Sequence, residues 1–366
     1  MPAKDTIGRG LVAITGANGT IGYACLVYAL KTGYRVRCIV RRESAIQAIR
    51  SGPSAQRYSE CIEYAIVSDN AAPGAYDEAV AGAHYIVHIA GAWPVPTLHP
   101  EHDIYHPFIN STKGMIEAAT KSGTVRRIVF TQAGAGLVNS EDGDTLGAGM
   151  EQVLDENVNV NAASLAFRPP LTSVHNAYCS AKAQCMSYLD HLRRSNTLPF
   201  SIAQVIPGTV IGPSELTTSA TQALAQLDRQ SKALLFDDVK PRYAFGFVHL
   251  EDCARIHIEA LDEEKSGSKD LPKWFIAAAT EQPGQTGAEV WYAAADMIER
   301  EFGQEIDRGT FKVGRSKTPL NMPFRADSRL TERLLLQGEK IRGLNTSVGE
   351  VAQWYLHLKS SEAHTI

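Results

Sequence analysis

The chain has 366 residues, 44% of them apolar and 21% charged, with a formal net charge of -4. That is long enough for one large domain, or a domain with an added lobe, around a sizeable core. No basic run marks a nucleic-acid or anionic-membrane partner, and no apolar run approaches the ~20 residues that span a bilayer.

The polar stretch from Met1 to Gly10 lacks the apolar segment of a signal peptide. The C-terminal Ala363-His364-Thr365-Ile366 matches no lipidation or retention signal. Cysteines 25, 38, 61, 179, 185 and 253 form no CxxC pair. They read as reduced thiols of a cytoplasmic protein. Cys179 reads as a small helix residue.

The elements alternate from the start. Leu11 to Ile14 is a short buried strand, a glycine-rich turn follows, and an apolar-periodic helix runs from about Ile21 to Thr32, stopped by Gly33. Strands follow at Tyr34–Val40, Glu60–Val67, Tyr85–Ile89, Arg127–Thr131 and Phe200–Val205. Helices are expected at Tyr76–Ala81, Asn110–Lys121 and Tyr178–Ser195. Strict β/α alternation implies a parallel sheet with helices on both faces. Ligands of such sheets bind at the carboxyl ends of the strands.

The pattern changes after the Gly/Pro-rich crossing from Pro207 to Pro213. Residues 214–236, 287–303 and 329–358 read as helical, and Phe245 to Leu261 as a strand running into a helix. The expected division is a dinucleotide domain over 1–206, with 245–262 returning to it, and a smaller, mainly substrate-binding lobe over 207–366. The irregular stretch from Gly134 to Asn176 is long enough to be functional, and is expected to flank the substrate.

The first turn reads Thr15-Gly16-Ala17-Asn18-Gly19-Thr20-Ile21-Gly22. Gly16 permits the tight turn, Gly19 lets a pyrophosphate approach the backbone, and Gly22 lets the helix pack closely. The helix start offers free N–H groups and a partial positive charge. The second strand ends Val40-Arg41-Arg42, with an acid only at Glu43. NAD sites place an acid at that strand end, and paired guanidinium groups suit the 2′-phosphate of NADP(H) better than a ribose diol.

Tyr178 and Lys182 are four residues apart, which on a helix puts them on one face, one turn apart. A phenol is a poor acid–base catalyst at neutral pH. A neighbouring ammonium is expected to lower its pKa, and the same lysine can hold a nicotinamide ribose.

These residues together resemble the extended short-chain dehydrogenase/reductases, within the NAD-dependent epimerase/dehydratase superfamily. The resemblance is to the branch of dihydroflavonol reductases, 3β-hydroxysteroid dehydrogenases and fungal carbonyl reductases. It runs to about Leu261. It rests on Thr15 to Gly22, Arg41, Asp69, His88-Ile89-Ala90-Gly91, Arg126 to Thr131, Tyr178 and Lys182, Pro207 to Pro213, and Phe247 to Asp252. It implies an α/β Rossmann doubly wound sheet with a smaller C-terminal lobe, binding NADP(H). Asp69, with Asn70 beside it, would approach the adenine. Ile89, Ala90 and Gly91 would line the cofactor cleft, and Pro207 and Val210 would border the nicotinamide. His249 and Asp252 read as structural. The family includes both monomers and dimers, so a homodimer is allowed.

One departure matters. Relatives end the fifth strand in Thr-Ser-Ser or similar, whose last hydroxyl assists the tyrosine. Here Thr131-Gln132-Ala133-Gly134 puts Ala133 at that place. Gln132, Thr131 or a loop hydroxyl such as Ser173 are the candidate replacements. His99, His102 and His106 lack a second ligand cluster, so no metal site is expected. They read, with Trp93, as a pocket wall, and Trp93, Pro94 and Pro96 suit an apolar or aromatic small molecule.

The leading expectation is an NADP(H)-dependent carbonyl reductase or alcohol dehydrogenase. A redox-neutral enzyme on the same scaffold (dehydratase, epimerase, isomerase or cyclase) is the alternative. A cofactor-sensing regulatory protein is the third, and the retained Tyr178 and Lys182 argue against it.

Overall fold

The computed structural model describes residues 8–137, 153–158, 168–241, 246–266, 271–280, 285–316 and 325–363. Among them a seven-stranded sheet has the order β3-β2-β1-β4-β5-β6-β9. Its strands are β1 (Leu11–Thr15), β2 (Arg35–Val40), β3 (Ile62–Ile66), β4 (Tyr85–His88), β5 (Arg127–Thr131), β6 (Ser201–Pro207) and β9 (Phe275–Ala277). Every neighbouring pair is parallel. β7 (Thr209–Ile211) and β8 (Phe247–His249) form a separate parallel pair.

Side-chain alternation sorts the sheet into two apolar layers. Val12, Ile14, Val36, Val87 and Val129 pack with α1 (Thr20–Lys31) and α8 (Leu250–Glu259). Ala13, Ile39, Ile86, Ile128 and Phe130 pack with α4 (His106–Ser122) and α5 (Val174–Ser195) on the other face. α2 (Glu43–Ser51) and α3 (Pro53–Arg57) join β2 to β3. A further core gathers α6 (Ala220–Gln226), α7 (Arg229–Phe236), α9 (Gly287–Glu301) and α11 (Leu344–Ala363) around Ile211 and Phe247 of the small strand pair.

The structure differs from the sequence reading at several elements. Tyr76–Ala81 is a run of turns rather than a helix. The 329–358 helix is two, α10 (Arg329–Leu335) and α11, and the 214–236 helix is likewise α6 and α7. Asp228 interrupts the latter by capping α7 through the N–H groups of Gln230 and Ser231. β9 went unread because only three residues of an alanine-rich segment pair with β6. α5 starts four residues before Tyr178, at Val174, behind the cap Ser173. Of the Gly134–Asn176 stretch, residues 138–152 and 159–167 lie outside the described residues, as does Phe245. No helix of the described residues is long and apolar enough to cross a membrane.

Candidate active site

The turn after β1 is built for a close approach. Gly16 has φ +68, which an L side chain rarely adopts, and its N–H donates to the Ile39 carbonyl at 3.0 Å. At Gly22 a Cβ would fall 2.1 Å from the Gly16 carbonyl oxygen, so α1 sits directly on the turn. At Gly19 the same test meets only the Gly16 oxygen, at 3.3 Å, leaving its other side open. Asn18, Gly19 and Thr20 are exposed and Ile21 is half-buried. Among the described residues no side chain caps α1 and its first turn holds no acid. Its leading N–H groups therefore keep their partial positive charge.

A buried polar chain supports this turn, and the sequence reading gave it no role. The Ile89 and Ala90 N–H groups both donate to Thr15 Oγ1, each at 3.0 Å. Two N–H donors fill that oxygen's lone pairs, so its proton points to His88 Nδ1 at 3.1 Å. His88 then carries its proton on Nε2, facing Ser111 Oγ at 3.3 Å, and Ser111 meets the Tyr76 hydroxyl at 2.9 Å. Burial, with the Lys182 charge adding to it, pushes the His88 pKa down to about 3, so the imidazole is neutral. The only sequence signal was a polar residue closing a buried strand.

The other expected cofactor residues lie along the same edge. Arg41 and Arg42 follow β2 and are exposed, and among the described residues their side chains form no ion pair or hydrogen bond. Asp69 and Asn70 follow β3, where the Asp69 Oδ1 accepts the Ala71 N–H at 2.9 Å. Ile89, Ala90 and Gly91 follow β4. Pro207 ends β6 and Val210 lies in β7, with the Gly208 N–H between them held by the Ala277 carbonyl.

Tyr178 and Lys182 share one face of α5 beside the end of β5. Lys182 is buried and its Nζ donates to the Thr131 carbonyl at 2.9 Å. The same Nζ lies 4.7 Å from the Phe108 ring centroid and 5.9 Å from that of Tyr178. Phe108 stands edge-on to Tyr178 at 5.6 Å, and the Trp93 ring lies 6.2 Å from Tyr178 on the outer side. Trp93 is 75% exposed, a large apolar side chain left open to solvent beside Tyr178. Phe108 is a second residue that sequence reasoning missed.

The expected lowering of the tyrosine pKa is corrected here. Burial, then Cys179, raises the Tyr178 hydroxyl above its usual 10.0. Burial also pushes Lys182 down to about 8. The ammonium is directed at the Thr131 carbonyl, so the phenol keeps its proton at neutral pH.

The candidate replacement donors are engaged elsewhere. The His257 Nδ1 lies 2.7 Å from the Cys253 carbonyl, which can only accept, so that nitrogen holds the proton. Burial holds His257 down to about 4. Its bare Nε2 therefore accepts the Thr131 hydroxyl proton at 2.9 Å. The Gln132 Nε2 donates to Gln204 Oε1 at 2.9 Å, and its own buried Oε1 has no partner among the described residues. Ser173 accepts the Asn176 N–H as the α5 cap.

Among the described residues no group of three or more His, Cys, Asp or Glu side chains is placed to hold a metal ion. Instead His99 accepts the His102 N–H within one wide turn, Pro100–Tyr105, that leads into α4. Glu101 of this turn accepts the Leu171 N–H at 2.6 Å, tying it to the approach of α5. His249 caps α8, and Asp252 pairs with Arg342, so both serve the fold.

The NAD dependent epimerase/dehydratase family model matches residues 12–272. Ketoreductase CTB6 of Cercospora nicotianae is 26% identical over 364 residues, covering 96% of this chain and 96% of the relative. Dihydroflavonol 4-reductase of Arabidopsis thaliana is 27% identical over 257 residues, covering 68% of this chain and 61% of that one. Among solved structures, yeast methylglyoxal/isovaleraldehyde reductase Gre2 complexed with NADPH has a TM-score of 0.67 at 20% identity, covering 96% of this chain and 99% of that one. That likeness carries the fold.

The buried imidazoles set an acid limit on stability. His88 falls from its usual 6.5 to about 3 in the folded chain, so the unfolded chain binds more protons between those values. The stability is complete above pH 6.5 and is lost as pH falls toward 3. Urea melts should show a falling unfolding free energy from pH 6.5 to 4. His88→Gln, which cannot be protonated there, should make that limb shallower, with buried His257, held down to about 4, supplying the remaining slope. A wild-type profile flat over this range would contradict a neutral buried His88.

Proposed function

The chain belongs to the NAD dependent epimerase/dehydratase family, and from that premise we propose that it is an NADP(H)-dependent carbonyl reductase. Its substrate is a small apolar or aromatic ketone or aldehyde. The observation that carries this reading is Lys182, anchored on the Thr131 carbonyl and one helical turn from Tyr178. The match to ketoreductase CTB6 across nearly the whole chain supports it.

The residues present fit the cofactor. Gly16, Asn18, Gly19, Thr20, Ile21 and Gly22 would hold the pyrophosphate on the uncapped start of α1. Arg41 and Arg42, with no acid among the described residues to neutralise them, would take the 2′-phosphate. Asp69 and Asn70 would face the adenine. Ile89, Ala90 and Gly91 would line the cleft, and Pro207 and Val210 would border the nicotinamide. The bound cofactor supplies a hydride for the carbonyl carbon.

Tyr178, protonated at neutral pH, gives its proton to the carbonyl oxygen. Lys182 then stabilises the phenolate left behind. Thr131 acts through its backbone carbonyl, which fixes the Lys182 ammonium, and Gln132 steadies the β5 end through Gln204. Trp93 offers an apolar face beside the tyrosine. We assign residues after Pro207, apart from the returning 245–262, mainly to the substrate lobe.

Ala133 favours a second reading, a redox-neutral reaction with only one donor at the substrate oxygen. The two part on whether NADPH is consumed stoichiometrically with substrate.

Calorimetric titration should find NADPH bound at least about tenfold more tightly than NADH, worth about 1.4 kcal/mol. Arg41→Ala should erase most of the difference. Equal affinities in the unmutated protein would refute the assignment of the arginine pair. Tyr178→Phe should lower turnover roughly 10²-fold while NADPH binding survives, and near-normal turnover would place the chemistry elsewhere. Restoring a hydroxyl by Ala133→Ser should raise the rate on the native substrate by less than about tenfold, because this site does not depend on a second donor whose loss elsewhere costs about 2.7–4 kcal/mol. A hundredfold gain would mean a reductase that has merely lost its donor.

A further inference from the structure

The segment leaving β6 makes an unusual crossing. β5 and β4 separate β6 from β1 in the sheet. Yet Glu215, eight residues past the end of β6, reaches the helices that follow β1 and β2. Its Oε2 accepts the Tyr23 hydroxyl at 3.2 Å and the Ser54 N–H at 3.1 Å, and its Oε1 accepts the Ser54 hydroxyl at 2.8 Å. Val210 and Leu216 of the same segment pack on the apolar cluster that holds Ile21 and Ala24 of α1. The strap therefore runs along the carboxyl edge of the sheet, across the strands from which the dinucleotide cleft is built.

The landing point is specific. The Tyr23 N–H donates to the carbonyl of Gly19 at 2.8 Å, so this tyrosine hangs from the turn proposed to take the pyrophosphate. Its ring is buried, and its hydroxyl emerges beside Gly52, where a Cβ would lie 2.0 Å from it. Gly52 thus leaves the space through which Tyr23 meets Glu215. Glu215 itself is exposed, held by neutral donors, and paired with no cation among the described residues. An exposed contact of this kind opens and closes readily.

We infer that residues 207–217 form a strap closing the dinucleotide cleft, and that Glu215 is its latch, a positioning residue that slows escape of bound NADP(H). The inference rests on the proposed cofactor site. It makes a kinetic claim: the latch acts on a strap that shuts after the nucleotide has entered, so it governs the dissociation rate more than the association rate.

Stopped-flow nicotinamide fluorescence on the full chain tests this with NADPH as the probe. Glu215→Ala should raise the dissociation rate about fivefold or more, the scale of about one net hydrogen bond, and change the association rate less than about twofold. Tyr23→Phe should give a smaller rise, and the double variant should dissociate no faster than Glu215→Ala alone, since both act on one contact. Without nucleotide, Glu215→Ala should lower the thermal midpoint only slightly, as loss of one exposed contact does, and NADPH should raise that midpoint less in the variant than in the unmutated protein, which separates a latch from a general support of the fold. Should Glu215→Ala fail to fold, Ser54→Ala, which loses one hydroxyl donor, carries the same forecast at reduced size. Unchanged dissociation rates with NADPH still bound would overturn the latch. Failure of the unmutated protein to bind NADPH would instead overturn the cofactor reading beneath it.

Discussion

The hydrogen bond from the Lys182 ammonium to the Thr131 carbonyl is the contact on which the site depends. A buried ammonium is costly unless a good acceptor faces it, and the carbonyl closing β5 is such an acceptor. The bond couples the helix that carries the proposed acid–base pair to the end of β5 in the middle of the sheet. Phe108, from α4, adds its ring face to the ammonium and its edge to Tyr178. Three elements from different parts of the chain thereby fix one tyrosine. The same burial that lowers Lys182 also keeps Tyr178 protonated, the state required of a proton donor.

Around this contact, hydroxyl groups are consumed in holding backbone. Thr15 ends β1 and ties down Ile89 and Ala90, with neutral His88 behind it. Thr131 ends β5 and gives its proton to neutral His257 of α8. In each case a threonine at a strand end is fixed by a histidine kept neutral through burial. The strand ends gain rigidity where a dinucleotide site needs it. Thr131 consequently has no hydroxyl proton to offer a substrate, and Ala133 never had one. Under the proposed function Tyr178 would be the proton donor, with Trp93 beside it.

The small strand pair β7–β8 and the strap that contains β7 show how the second half of the chain bears on the first. β8 leads into α8, which covers the α1 side of the sheet and supplies His257. The strap leaves β6 and returns to α1 and α3 through Glu215. The later residues therefore support the Rossmann sheet twice, once beneath it and once across its edge.

The sequence by itself determined the alternation of strands and helices, the glycine turn with its exposed arginine pair, and the one-turn spacing of Tyr178 and Lys182. These are local properties: hydrophobic period, backbone permissiveness and helical repeat act within a few residues. Set against the family it resembles, it also showed Ala133 where relatives carry a hydroxyl. Only the tertiary structure decided which donors are free. Thr131 and Gln132 look available in sequence, but His257 lies 126 residues from the first and Gln204 72 from the second. The direction of the Tyr178 pKa was likewise beyond the sequence, because it depends on how deeply the helix packs and on which oxygen the lysine finds. Short elements such as β9 escaped for a related reason: three residues carry too little periodicity, and pairing with β6 is what makes them a strand.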